Sequence, residues 1–382
     1  MDITSPTSFS FPTDIRFGEG VIKELPDYLK KYGLERPLVV TDPNVAQLGF
    51  FHEIVNDLRA KGLSVEVFSD MHANPIKSDV LAGGDAYKNS DRDSILGIGG
   101  GAAMDVARAI ALRINHHQDL FVYDDLIGGD KYVTEPVPHF VTVPTTSGTG
   151  SEVGRSAIIS EDESKRKRIL FAPSLLAKQV FADPALTYEL PAHITAATGM
   201  DALTHNMEAY LAKNYHPMAD GIALQGMKLI FDSIEAATLK PTPEARAKMM
   251  LGSLMGAVAF QKGLGVVHSL AHPLSTLLDM HHGLANAINL PYGMEFNMPG
   301  LEDKFEEMAR LTSMESPSAE GLIEELFALN KRLGLPTKLR EKGVEETHLE
   351  ALSDLAIADF AHPNNPKPVS RADFRAIYQK AW

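Results

Sequence analysis

Two stretches of the chain carry carboxylate and imidazole groups at helical spacing. Asp201 and His205 are four residues apart, and so are His268 and His272. In a helix this spacing puts both members of a pair on one face, about one turn apart. A carboxylate and several imidazoles can hold a divalent metal ion and leave a position open for water or substrate. Structural histidines on helix faces are the alternative interpretation, and spacing alone does not decide between the two.

A third stretch, HHGLANAINLP, adds two adjacent histidines, His281 and His282, just before Gly283. Neighbouring residues of a helix point in different directions, so we expect only one of the two imidazoles to point inward. Two pairs at helical spacing and a further histidine in one region strengthen the metal interpretation, but sequence does not show that they converge in space, so both interpretations stay open.

Composition excludes several other classes of chemistry and partner. The 382 residues are 44% apolar and 23% charged, which is typical of a globular protein large enough for two domains. A net charge of −14 argues against nucleic-acid and anionic-membrane partners. The absence of cysteine excludes disulfides, thiolate ligands and a cysteine nucleophile. No apolar run is long enough to span a bilayer and no secretory signal is evident, so we expect a cytoplasmic location.

The chain changes character near residue 190. Before that point strand and helix patterns alternate, with a β-branched run at residues 38–41 and an amphipathic helix at residues 49–62. This rhythm predicts a parallel, doubly wound sheet. Beyond residue 190 the pattern is helical throughout. The sequence therefore predicts an α/β N-terminal domain with a parallel Rossmann-like sheet at residues 1–190, followed by an all-α C-terminal domain at residues 191–382.

Two loops of the first domain have the composition of phosphate- or ribose-binding loops. A short strand at residues 94–98 runs into Gly99, Gly100 and Gly101 and then into a helix. Glycine lets backbone amides approach a phosphate, and a helix N-terminus favours an anion. The spacing differs from the GxGxxG dinucleotide fingerprint. A second loop, TTSGTGSEV, follows the strand HFVTVP. Either loop alone could be a surface turn, but two at the carboxyl ends of strands favour a nucleotide.

Five motifs in order give the chain a family resemblance. GGGAAMD, VPTTSGTGSEV, ATGMDALTH, GLGVVHSLAHPL and HGLANAINLP resemble those of the iron-containing (group III) alcohol dehydrogenases, which have the dehydroquinate synthase-like fold. The resemblance extends from FGEG near residue 17 to NNPKP near residue 364, nearly the whole chain. It implies an NAD-dependent, metal-containing oxidoreductase that interconverts a primary alcohol and an aldehyde. The metal would act as a Lewis acid and the nicotinamide would accept the hydride.

The resemblance assigns the metal and the residues around it. The ion would be Fe²⁺ or Zn²⁺, since nitrogen and oxygen ligands suit both. His272 matches a family position beside the nicotinamide and the metal, where it would act as a catalytic positioning or proton-relay group. His281 falls at a variable position and is expected to be structural. The implied metal ligands are Asp201, His205, His268 and His282.

The resemblance also implies a dinucleotide site. Asp42 matches a carboxylate that accepts a hydrogen bond from the 2′-hydroxyl of NAD and repels the 2′-phosphate of NADP, so we predict NAD rather than NADP. The alternative is that Asp42 only caps the turn before Pro43. The implied cofactor-binding residues are Asp42, Gly99, Gly100, Gly101, Asp105, Thr145, Thr146, Thr149 and Lys167.

Departures from the family pattern bear on the substrate. Ala102 replaces the serine usual after the three glycines, and Arg155 and Lys262 stand where small or apolar residues are common. These cations and His362 favour an anionic substrate, a hydroxy acid or a sugar acid such as an ulosonate, because an arginine can bind a carboxylate through two hydrogen bonds. The alternative is that Arg155 and Lys262 point to solvent. The predicted substrate residues are Arg155, Ser156, Phe260, Lys262 and His362.

Other functions remain open from the sequence. The first is a short-chain alcohol or diol dehydrogenase of the lactaldehyde reductase or butanol dehydrogenase type. The second is a lyase of the dehydroquinate synthase type, which lacks support here because no further basic run is present to hold a phosphorylated substrate. The third is a non-catalytic NAD-binding protein with a structural metal. By analogy with the family, a homodimer or higher homo-oligomer is expected, with a small alcohol or aldehyde as the other partner.

Overall fold

The computed structural model describes Phe11 and residues 13–382. Their internal contacts divide the chain into two compact units. The sheet unit comprises residues 13–146 and Ser151–Tyr188, and the helical unit comprises Phe11, Ser147–Gly150 and Glu189–Trp382. The predicted division at residues 190/191 treats the domains as consecutive pieces and stays a prediction, since the short segment Ser147–Gly150 groups with the helical unit.

The sheet unit is built on six parallel strands. The six strands are β1 (Asp14–Phe17), β2 (Pro37–Val40), β3 (Glu66–Phe68), β4 (Ser94–Gly99), β5 (His139–Pro144) and β8 (Gln179–Ala182). Their order across the sheet is β1-β8-β5-β4-β2-β3. Four helices accompany them: α1 (Leu25–Lys31), α2 (Gly49–Ala60), α3 (Lys77–Asn89) and α4 (Gly101–Asn115). The parallel sheet confirms the fold class predicted for this part of the chain.

Apolar residues on both faces of the sheet explain why its central strands are buried. Along β2, Leu38 and Val40 pack into one core with residues of α3 and α4, and Val39 packs into another with residues of α1 and α2. Successive side chains of a strand point to opposite faces, so a continuous apolar run is needed when helices cover both. This packing fixes the carboxyl ends of β4 and β5 side by side, with Gly99 paired to Pro144.

An antiparallel hairpin, β6 (Ser156–Ser160) and β7 (Lys167–Phe171), follows the second loop. The sequence predicts only a polar loop around EDESKRKR. The structure makes the middle of that segment a turn, and Arg168 forms ion pairs with Asp124 and Glu161 inside the sheet unit. Charged residues that find partners within the fold obscured the strand pattern of β7.

The helical unit contains ten α-helices among the described residues, which confirms the predicted all-α character of the C-terminal part. They are α5 (Ala192–Leu211), α6 (Pro217–Phe231), α7 (Ile234–Leu239), α8 (Pro243–Ala259), α9 (Val266–Leu278), α10 (His282–Asn297), α11 (Glu302–Ala309), α12 (Ala319–Arg332), α13 (Leu349–Ile357) and α14 (Arg371–Ala381). Within residues 13–382, no single helix is long and apolar enough to cross a membrane, and one pair passes that test only with a 107° bend between its members.

Helix α5 lies at the centre of the helical unit. From Thr195 to Leu211 every side chain is buried. Apolar residues on several sides, including Met200, Leu203 and Met207, hold it in one core with α6, α8, α9 and α10. A helix covered on all sides places its polar residues in a dry interior, where each must find a partner. Asp201, His205 and Glu208 are three such residues.

Candidate active site

A carboxylate and three imidazoles meet inside the helical unit. Asp201 Oδ1 lies 3.9 Å from His205 Nε2, 3.8 Å from His268 Nε2 and 3.4 Å from His282 Nε2. Helix α5 supplies the first two residues, α9 supplies His268, and His282 begins α10. The rings of His205 and His268 stack with centroids 4.7 Å apart. The structure thus brings together all four residues predicted as metal ligands.

The donor atoms of this cluster fit a divalent cation. Ligand atoms of Asp201, His205 and His268 lie within 4.8 Å of one another, and all three residues are buried. His205 Nδ1 donates to the carbonyl oxygen of Gly148 at 3.3 Å, which leaves Nε2 with its lone pair. Burial lowers the pKa of His205 to about 4, so its imidazole is neutral at physiological pH, as metal ligation requires.

The rings of His281 and His282 have different partners. Its Nδ1 accepts a hydrogen bond from the backbone of Leu284 at 3.3 Å and so caps the N-terminus of α10. His282 is the one of the pair that approaches Asp201. The expectation that only one of the two would point inward agrees with this arrangement.

Glu208 is a residue of this site that the sequence interpretation missed. Its carboxylate is buried, accepts from His268 Nδ1 at 2.5 Å, and also accepts from the backbone amides of Val267 at 2.7 Å and His268 at 3.3 Å. It therefore caps α9 and orients a metal-ligand imidazole at once, with Nε2 directed at Asp201. Burial acts to lower the pKa of His268, but the hydrogen bond and charge of Glu208 outweigh it and raise that pKa. The available signal was the spacing: Glu208 lies three residues after His205 and shares its helix face.

His272 forms a second carboxylate–imidazole pair. Its Nδ1 lies 2.8 Å from Asp359 Oδ2, and Asp359 Oδ1 accepts from Ser269 Oγ at 2.6 Å and from the backbone of Ala361 at 2.9 Å. Burial acts to raise the pKa of Asp359, but the charge and hydrogen bond of His272 and the other donors hold that pKa below its usual value. An ionised carboxylate only accepts, so the His272 nitrogen that faces it, Nδ1, carries a proton. The ring stacks on His282 with centroids 5.3 Å apart.

The glycine loop of the sheet unit joins β4 to α4. Gly99 has a φ of 153°, and a Cβ atom built there would lie 2.7 Å from Ala103 Cβ, so only glycine fits. A Cβ atom on Gly100 would meet Thr146 at 3.5 Å, and the amide of Thr145 donates to the carbonyl oxygen of Gly99 at 3.0 Å. The structure therefore brings both predicted loops together at the N-terminus of α4, which Gly101 begins. A 15-residue helix with a glycine N-terminus is suited to bind phosphate.

Asp42 lies beside this loop and uses its two oxygens differently. Oδ1 accepts from the backbone amides of Asn44 at 2.9 Å and Val45 at 3.0 Å, so the turn-capping role considered from the sequence is present. Oδ2 faces Gly99, 3.5 Å from the position of a Cβ atom there. One oxygen therefore builds the turn and the other borders the glycine loop.

Asp105 holds the loop in place through contacts within the protein. Its Oδ1 accepts from Ser151 Oγ at 2.8 Å and Arg108 at 3.3 Å, and its Oδ2 accepts from the amide of Ile158 at 3.2 Å. Burial raises its pKa. These contacts attach the second loop and β6 to α4.

Two further residues predicted to bind the cofactor lie in different units. Lys167 begins β7 in the sheet unit, and Thr149 belongs to the segment that groups with the helical unit.

Two of the five residues predicted to bind the substrate have polar partners within the protein. Lys262 is buried, and its ammonium donates to the carbonyl oxygen of Tyr210 at 2.9 Å and to Asp220, so its charge is used inside the protein. His362 donates from Nε2 to the carbonyl oxygen of Ile357 at 3.1 Å. Both groups therefore have partners inside the protein, and their substrate role stays a prediction.

The other three substrate residues stay predictions, and each is described here by its own surroundings. The ring of Phe260 lies against His205 with centroids 5.2 Å apart, beside the metal-ligand cluster. Ser156 begins β6, and its carbonyl oxygen accepts from Arg108 at 2.7 Å. Arg155, which precedes Ser156, belongs to the sheet unit and is partly exposed.

Family models cover almost the whole chain. The iron-containing alcohol dehydrogenase model matches residues 12–184, and the C-terminal model of the Fe-containing alcohol dehydrogenase family matches residues 195–382. The chain therefore belongs to the iron-containing alcohol dehydrogenase family, which confirms the resemblance read from its motifs. It is an alcohol dehydrogenase, an oxidoreductase whose family implies a divalent metal ion and NAD(H).

Individual relatives agree with this class. The chain is 38% identical to 4-hydroxybutyrate dehydrogenase of Cupriavidus necator, over 97% of this chain and 98% of that protein. It is 33% identical to NAD-dependent methanol dehydrogenase of Bacillus methanolicus, over 98% of this chain and all of that protein. Among solved structures, a 1,3-propanediol oxidoreductase superposes with a TM-score of 0.94 at 32% identity, covering 98% of this chain and all of that one.

Proposed function

We propose that this enzyme oxidises a small hydroxy acid with a primary alcohol, of the 4-hydroxybutyrate type, to the corresponding aldehyde acid, with NAD as hydride acceptor and Fe²⁺ or Zn²⁺ at the histidine cluster. The metal-dependent part of the proposal is carried by the convergence of Asp201, His205, His268 and His282 on one point. The substrate part is supported by the 38% identity to a 4-hydroxybutyrate dehydrogenase. It is also supported by the sequence-based prediction that the guanidinium of Arg155 binds a carboxylate.

The side chains of the helical unit prepare this chemistry. When bound, the ion supplies Lewis acidity that lowers the pKa of an alcohol, and NAD supplies the hydride acceptor. Glu208 holds His268 with Nε2 directed at Asp201. Asp359 holds His272 in the tautomer whose Nε2 can accept a proton. Phe260 provides an apolar wall against His205, which excludes water from that side.

Removing the Arg155 guanidinium tests whether this residue binds the carboxylate of an anionic substrate. In Arg155→Ala we expect kcat/KM for 4-hydroxybutyrate to fall by about 10- to 100-fold, the value of a charge-assisted, bidentate hydrogen bond. For 1-butanol, a neutral alcohol of the same length, no carboxylate contact is lost, so the change should stay within about threefold. The matched control is Arg166→Ala, an exposed arginine in the turn of the same hairpin. Equal losses on both substrates would contradict the proposal.

A neutral short-chain alcohol or diol is the second candidate substrate. Two observations favour it: Lys262 has a buried ion pair with Asp220, and His362 has an internal hydrogen bond, so two of the groups predicted to bind an anion have partners within the protein. The relatives that act on methanol and 1,3-propanediol by name support it as well. Measuring kcat/KM of the wild type for 1,3-propanediol and for 4-hydroxybutyrate distinguishes the two candidates. The neutral candidate requires the higher value for 1,3-propanediol.

The position of Asp42 supports a preference for NAD over NADP. Its Oδ2 borders the glycine loop, where a carboxylate accepts from a ribose 2′-hydroxyl and repels a 2′-phosphate. Asp42→Asn keeps an oxygen for the amides of Asn44 and Val45 and removes the charge. We expect the ratio of kcat/KM with NAD to that with NADP to fall by about tenfold or more. Asp57→Asn on α2 is the control, and an unchanged ratio in Asp42→Asn would refute the assignment.

A further inference from the structure

We propose that Asn286 is a positioning residue of the metal site, whose side-chain amide holds the Asp201 carboxylate in place and sets the affinity of the cluster for a divalent ion. This inference rests on the proposed metal-dependent function. It concerns a residue that lies one helical turn after His282 on α10 and that the motif HGLANAINLP contains without an assigned role.

The amide nitrogen of Asn286 lies among the ligand atoms. Its Nδ2 is 2.6 Å from Asp201 Oδ1, 3.1 Å from His282 Nε2 and 3.3 Å from His268 Nε2. The side chain is fully buried. Three of the four metal-ligand residues therefore share one neutral hydrogen-bond donor.

The Asn286 amide has too few N–H bonds to donate to all three of these neighbouring atoms. A primary amide carries two N–H bonds, so it cannot donate to one carboxylate oxygen and two imidazole nitrogens at the same time. The 2.6 Å contact to Asp201 is the shortest of the three, which makes the carboxylate its principal partner. At least one imidazole lone pair is left without a proton from Asn286. The arrangement holds the carboxylate while keeping nitrogen donors available to a cation.

The carbonyl oxygen of the same amide does not distinguish Asn286 from its neighbour on α10. Asn286 Oδ1 is buried and, among the described residues, no hydrogen-bond partner to it is present, and the same holds for Asn289 Oδ1. What sets Asn286 apart is the contact of its Nδ2 with Asp201, His268 and His282.

The experiment compares two substitutions that both remove the N–H donor but differ in the volume they leave. Asn286→Ala removes the donor that holds Asp201, so we expect the Kd for Zn²⁺ to rise by about 10- to 100-fold. Asn286→Leu fills a similar volume without an N–H donor, so its Kd should rise by a similar factor. Affinity is measured by competition with a chromogenic chelator, with Zn²⁺ alone as the probe.

The matched control is Asn289→Ala. Asn289 is equally buried on the same helix, and its amide donates to the carbonyl oxygen of Ala285 at 2.8 Å instead of to the cluster. Its Kd for Zn²⁺ should stay within about threefold of the wild type, because a purely structural asparagine has no part in ligation. Melting temperatures with and without EDTA provide a second readout, since the difference between them should shrink in Asn286→Ala and persist in Asn289→Ala.

Two outcomes would overturn the inference. One is a Kd for Asn286→Ala no different from that of Asn289→Ala. The other is a Kd for Asn286→Leu equal to that of the wild type, which would show that the side chain only fills space. If the alanine variant does not fold, that result in Asn286→Leu alone overturns the inference. A wild-type protein that binds neither Zn²⁺ nor Fe²⁺ stoichiometrically would instead refute the metal centre of the proposed function, so the two failures are distinguishable.

Discussion

Replacing His268 or His282 by alanine is expected to lower kcat/KM by at least about three orders of magnitude, with bound metal falling in parallel. Each imidazole places its Nε2 within 4 Å of the Asp201 carboxylate, so either change removes one of four donors from the cluster. A divalent ion held by fewer donors binds more weakly and stabilises the developing charge on an alcohol less effectively. Metal content after dialysis and NADH formation from a primary alcohol are the measurements.

His281→Ala is the matched control for this prediction. His281 is adjacent to His282 in sequence, but its ring caps α10. Loss of a cap costs about 1 kcal/mol of stability and should leave metal content unchanged. If His281→Ala lost metal as His282→Ala does, or if His268→Ala kept its full metal content and turnover, the four-residue cluster would not be the metal site.

The Glu208→Ala substitution is expected to destabilise the protein by about 3–5 kcal/mol, because it breaks a buried pair and leaves polar groups without partners. The imidazole of His268 loses its acceptor, and the backbone amides of Val267 and His268 lose the carboxylate that caps α9. Metal affinity should fall by about 10- to 100-fold, the usual effect of removing a group that orients a ligand. Glu208→Gln keeps one oxygen that can accept from a backbone amide of α9. Its loss of folding stability should therefore be much smaller than that of Glu208→Ala, while its metal affinity should still fall.

Thr242→Ala separates capping from metal orientation. Thr242 Oγ1 accepts from the amide of Ala245 and caps α8, and no metal-ligand histidine depends on it. Thermal unfolding with and without added metal should show a loss of about 1 kcal/mol in Thr242→Ala under both conditions. Glu208→Gln should instead be deficient mainly in the stabilisation gained on metal addition. The same dependence on metal in both variants would argue that Glu208 is only a cap.

Local patterns in the sequence predicted the main architecture because local physics produces it. Alternating strand and helix segments with apolar runs predicted the parallel sheet, and its strands were found in that part of the chain. The spacing of Asp201 and His205 places two donors on one face of any helix they occupy, whatever surrounds it. The hairpin of β6 and β7 was missed, since charged residues in it pair with neighbours and give no clear apolar period.

Side chains that act through a partner far along the chain could not be predicted in the same way. Lys262 was predicted to bind an anionic substrate, but its ammonium forms an ion pair with Asp220, which lies 42 residues earlier. Asp359 is 87 residues from His272, and nothing in the spacing of either indicates the pair. A long or charged side chain can turn in several directions, and only packing decides which one buries it with a partner of opposite charge.

The sequence by itself determined the family and the fold class, and the family resemblance named the four metal-ligand candidates, since ordered motifs are properties of the chain alone. Only the tertiary structure decided that these donors converge, that the ring of His281 caps α10, and that Glu208 and Asn286 lie against the cluster. Those facts depend on α5, α9 and α10 packing against one another. Contacts between elements 60 to 85 residues apart follow from how the core is filled, which no local pattern encodes.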